Sequence, residues 1–145
     1  MKHFLILAVV GFLGLPATAA TNATRFYIQL IRATDDTNSP APGAVRIGPK
    51  LSEKFHQVFQ GKTYWELKCE DVMVSSAKPV KVSLNANRVV QIDVTDDKRT
   101  VTSYYKGKVV DRTTAARGEG MTMIGDSHGK TNCCFIVVRR DKPSP

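Results

Sequence analysis

The chain is poor in the side chains that carry most enzyme chemistry. It has three cysteines, three histidines and one tryptophan in 145 residues, and aromatics make up 8% of the total. No C-x-x-C or H-x-x-x-H spacing occurs. A structural zinc site, which needs four converging thiolate or imidazole ligands, therefore has no framework, and no metal or other cofactor is expected. No block of five or six like charges appears, and exposed aromatics do not interleave with basic residues in the manner of a nucleic-acid docking module, so nucleic acid is not an expected partner. There is no internal repeat and no low-complexity tract. After the first fifteen residues no apolar run is long enough to span a bilayer.

The beginning of the chain, MKHFLILAVVGFLGLPATAA, has the three parts of a secretory signal. Lys2 supplies the positive start, Phe4 to Leu15 the apolar segment, and Pro16 ends it before the small residues Ala17-Thr18-Ala19. Residues 1–20 are read as a cleaved leader, 21–140 as one domain and 141–145 as a polar tail. The product is expected to be exported, either periplasmic or secreted. Loss of Lys2 takes 21 basic residues to 20 against 13 acidic ones, a net charge of +7. That balance suits an anionic envelope component or an acidic protein as partner. Asn22-Ala23-Thr24 has the form of a glycosylation acceptor, which matters only in a cell that glycosylates.

The domain reads as strands with one helical interruption. RFYIQLIRA (25–33) alternates with period two, and DDTNSPAPGA (35–44) is a loop. In GPKLSEKFHQVFQGK, Leu51, Phe55, Val58 and Phe59 fall at i, i+4, i+7 and i+8, so a short helix is expected over about 50–60, entered at Pro49 and closed by Gly61. Strand patterns follow at 63–74, 80–84, 88–94, 99–105, 108–114, 121–124 and 132–140. The first of these places Trp65, Leu67 and Cys69 on one face, and its phase slips after Glu70, where a bulge is expected. About eight short strands with hairpin-like connections point to an antiparallel β-sandwich, with a partly open barrel as the alternative.

Gly125-Asp126-Ser127-His128-Gly129 matches the G-x-S-x-G letters of a nucleophile elbow, and its Gly-Asp-Ser resembles one family of lipases and esterases. Ser127 would be the nucleophile and His128 the nearest base. The context argues otherwise. The next segment is a strand, His128 is the chain neighbour of Ser127 and points away from it, and the α/β folds that carry the motif need a longer chain. No catalytic set is assigned.

The three cysteines are read by parity. Cys69 shares a face with Trp65 and Leu67 and is expected to face the core. Cys133 and Cys134 open the run CCFIVV, apolar on both parities, so they belong to opposite sides of a central strand. Either all three are buried thiols, or Cys69 bridges one of the pair. A surface formed by Tyr64 with Tyr104 or Tyr105 is a candidate binding site. Met121 and Met123 read as adaptable core residues, and Asp93, Asp96 and Asp97 as a solvated turn. The expected role is a non-enzymatic binding or assembly module of the cell envelope or extracellular space. The alternatives are a small serine hydrolase using Ser127 and a thiol or metal module using the cysteines.

Overall fold

A computed structural model describes residues 22–125 and 133–143. The elements in chain order are β1 (Thr24–Thr34), β2 (Val45–Arg46), α1 (Pro49–His56), β3 (Thr63–Val74), β4 (Val80–Ser83), β5 (Arg88–Val94), β6 (Lys98–Tyr105), β7 (Lys108–Ala116), β8 (Met121–Gly125) and β9 (Cys134–Arg139). The strands form two antiparallel sheets, β2-β3-β1-β9-β8 and β4-β5-β6-β7, in a sandwich-like all-β fold. Among the described residues no barrel closes.

The two sheets share one core. Phe26, Ile28 and Leu30 of β1 and Ile136 and Val138 of β9 meet Val82, Val90, Ile92, Val94 and Val101 of the second sheet. Residues of the other parity turn away from that core. Ile31 and Ala33 of β1, with Phe135 and Val137 of β9, form a second cluster under α1, which presses Phe55 into it. The Phe55 ring meets Tyr64 and Phe135 edge-on at centroid separations of 5.4 and 4.9 Å, and Phe59 stacks on Phe135 at 4.0 Å. Strands β1 and β9 are thus buried on both faces, which is why their sequences are apolar on both parities.

The helix matches its expected place but ends early. Pro49 occupies the first turn, where its missing N–H is not needed, and regular helix stops at His56. A turn carries Phe59 back onto the sheet through the Phe59 N–H to Phe55 carbonyl bond (2.7 Å). Val58, expected on the apolar stripe, is instead 58% exposed, because the chain has left helical geometry before reaching it.

The β3 bulge also differs from its expected position. Register with β1 shifts between Leu30 and Ile31, which oppose Lys68 and Glu66, so Leu67 is the extra residue. This slip, several residues ahead of the expected one, puts Cys69 opposite Gln29 on the helix side of the sheet, where it is exposed rather than facing the core.

A buried arginine ties the two sheets together. Arg99 of β6 is fully enclosed, donates through Nη1 to the Glu119 carbonyl (3.0 Å) and through Nη2 to Thr122 Oγ1 of β8, and lies over the Phe26 ring.

The contrast between Phe55 and Val58 is measurable. Phe55→Ala removes a fully buried ring and is expected to cost about 3–5 kcal/mol in urea unfolding. Val58→Ala is expected to change stability by less than about 0.5 kcal/mol.

Candidate functional site

Eight residues of helix cannot roof a five-stranded sheet, and the uncovered part of the helix-side face holds a cavity of ≈ 640 Å³. One wall is the chain leading into α1, with Val45, Arg46, Ile47 and Gly48. Another is the helix itself, through Pro49, Lys50, Leu51 and Lys54. The sheet supplies Gln29 from β1, Glu66 from β3 and Arg139 at the end of β9, and Pro143 closes one side. β2 positions its wall by pairing Val45 with Glu66 and Arg46 with Trp65, and the Ile47 N–H to Tyr64 carbonyl bond (2.9 Å) extends that pairing.

Gln29 is the unusual residue here. It sits mid-strand, fully buried, at an inward position where Ile31 and Ala33 are apolar. Its Nε2 donates to Glu66 Oε2, while its Oε1 has no hydrogen-bond partner among the described residues. A buried acceptor without a donor costs about 1–3 kcal/mol. The floor therefore holds an enclosed acceptor that lacks a donor among the described residues, beside a half-buried carboxylate. Around it stand four cationic side chains, Arg46, Lys50, Lys54 and Arg139, against the single carboxylate of Glu66. Lys50 and Lys54 are one helical turn apart on α1, and the positive end of that helix opens on the same space. Among the described residues, the lining has no serine, cysteine or histidine. The lining sets acceptors below, cations at the rim and apolar walls between. A second hollow of ≈ 510 Å³, lined by residues including Arg25, Gly118, Gly120 and Arg140, has no buried side chain in its lining.

The residues singled out in the sequence lie elsewhere. Tyr64 is buried, its hydroxyl donating to the Phe59 carbonyl (2.6 Å). That uses its one proton, so the 3.0 Å contact with His56 requires Nδ1–H of the imidazole to be the donor. Burial, with a smaller contribution from Cys133, pushes the Tyr64 hydroxyl above its ordinary pKa. Tyr104 and Tyr105 belong to β6 of the other sheet, so no surface joins them to Tyr64. Trp65, the neighbour of Tyr64, is buried as well, since this sheet is covered on each side.

Ser127 and His128 lie outside the described residues. Cys133 belongs to the cluster under α1, and Cys134 packs against the core between the sheets, on opposite faces. Cys69 cannot bridge to either where the strands stand. β1 lies between β3 and β9. That separates them by about 10 Å, and Cys134 is a few residues further along, roughly another 10 Å. A disulfide needs Cα atoms within about 7 Å, and Cys69 is a thiol. Among the described residues no three histidine, cysteine or acidic side chains converge on a point. Met121 and Met123 pack against the cluster under α1.

Comparison with protein-family models, with curated protein sequences and with solved structures returned no match.

The surroundings of Cys69 disfavour its thiolate. Partial desolvation of its sulfur, then the carboxylates of Glu66, Glu70 and Asp71, push the thiol up to about 11 against a smaller opposite effect of Arg139. Starting from 9.0, this lowers the thiolate fraction about a hundredfold at about pH 8, and the higher nucleophilicity of a more basic thiolate restores only part of it. Iodoacetamide labelling of Cys69, followed by peptide mapping, is expected to be about tenfold slower than for an unperturbed cysteine at about pH 8. The rate should continue to rise beyond about pH 10.

Proposed function

We propose that this chain is an exported, non-enzymatic binding module of the cell envelope or extracellular space, and that the cavity beside α1 is its binding site. The observation that carries this reading is the buried Gln29 Oε1, without a donor among the described residues, at the floor of a cationic-rimmed cavity. A ligand that fits offers an N–H or O–H to that oxygen, an apolar body to Ile47 and Leu51, and an anionic group to Lys50, Lys54 and Arg46. A short peptide with a free carboxylate meets all three needs. Export is supported by the leader pattern of residues 1–20 and agrees with the basic balance of the remainder.

Calorimetric titration with an N-acetylated apolar tripeptide, compared with its C-terminal amide, tests the site. The free acid is expected to bind at least about tenfold more tightly, one charge-assisted hydrogen bond being worth about that factor. Lys50→Ala with Lys54→Ala should remove the difference, and Gln29→Met should weaken both peptides. Equal binding of acid and amide, or no heat at millimolar peptide, overturns the assignment. Export is tested by the intact mass of the chain expressed in a host with a secretion pathway. The expected product starts at Ala20 or Thr21 outside the cytoplasm; retention of residues 1–20 would refute it.

A further inference from the structure

The far side of the molecule carries a different surface. β6 and β7 are joined by Lys106 and Gly107, both at positive φ, in a two-residue turn of the type that asparagine and glycine prefer. A lysine in that region of backbone space is energetically disfavoured, and here it places its charge at the tip of the hairpin. Lys108 follows on β7, and both lysines are exposed.

The next two residues break the normal pattern of a strand. Successive side chains should point to opposite faces, yet Val109 and Val110 are both open to solvent, 54% and 40% exposed. The cause is a register shift between Ser103 and Tyr104. Tyr104 opposes Val109 and Ser103 opposes Asp111, leaving Val110 as an extra residue. Among the described residues these are the only adjacent pair of large exposed apolar side chains. β7 is also an edge strand, so its outer side has no neighbour in its own sheet.

Tyr104 stands opposite Val109 and Tyr105 opposite Lys108, on the two faces of the hairpin, both half-buried and each under a cation. Lys81 lies 5.1 Å over Tyr104, and Arg88 and Lys106 lie 5.0 and 5.4 Å over Tyr105. Arg112 continues the positive charge along β7, and Asp111 is the acidic residue in the strand. Cations, tyrosines on both faces and a small apolar pair around one hairpin tip are the composition of an element that rests in the headgroup region of an anionic bilayer. The lysines meet lipid phosphate, the tyrosines sit at the polar boundary, and the valines enter the acyl edge. A soluble polyanion would use the cations but has no counterpart for the valines.

We propose that the β6–β7 hairpin is a docking surface for anionic lipid membranes. The test is co-sedimentation of the full chain with phosphatidylcholine vesicles, with and without phosphatidylglycerol. Binding is expected only with the anionic lipid. Lys106→Gln with Lys108→Gln should lower it about tenfold or more, and Val109→Ser with Val110→Ser should lower it several-fold, both variants keeping the wild-type circular dichroism. Lys62→Gln with Lys98→Gln, exposed cations elsewhere, should leave it nearly unchanged. Absence of vesicle binding overturns the proposal, as does equal loss in the Lys62/Lys98 variant, which would mean that overall charge alone is sensed. Binding indifferent to the valine substitutions and reproduced on heparin would also overturn it, and would reassign the surface to a soluble polyanion.

Discussion

The five-stranded sheet is apolar on both faces, and one face has far less available to cover it than the other. The second sheet covers the first face with four strands. The helix-side face gets only α1, a helix of eight residues. Such a helix extends about 12 Å. Five strands side by side span roughly 19 Å from edge to edge. Phe55, Phe59 and Leu51 shield Ile31, Tyr64, Phe135 and Val137, and the remainder of that face must be polar or open. It is both: Gln29 and Glu66 take the polar option, and the cavity is the open space above them. The candidate site follows from a helix too short for its sheet.

The same constraint explains which parts of the fold are legible in the sequence. Strand periodicity locates β1 and β3 to β9, and the spacing of Leu51, Phe55 and Phe59 locates the helix, because each signal is local. Burial of β9 on both faces can be read from CCFIVV, since only a doubly covered strand can be apolar on both parities. The β3 bulge cannot be placed this way. The slip at Leu67 depends on where β1 changes register, and the change of phase among Glu70, Val72 and Val74 is a later echo of it. Parity alone puts Cys69 on the wrong face for that reason.

The cavity is less legible still, because its walls come from β1, β2, α1, β3 and the end of β9, and no window of sequence contains them together. One signal is present. In FYIQLIRA the glutamine stands among residues apolar on both sides of the strand, a position where a polar side chain must be satisfied or costly. The tyrosines are more conspicuous in the sequence, yet Tyr64 is a core residue holding the end of α1 in place, and Tyr104 and Tyr105 lie on the other sheet.

Arg99 has a consequence for how the join between the sheets responds to pH. Its hydrogen bonds to Glu119 and Thr122 connect the two sheets, and burial pushes its guanidinium below the usual arginine value. Even so, arginine starts so high that it keeps its charge across the physiological pH range. A histidine in that place would loosen or tighten the sandwich with ambient acidity. The arginine makes the join between the sheets indifferent to it, so any response of this molecule to pH must arise elsewhere than in the clasp that holds its halves together.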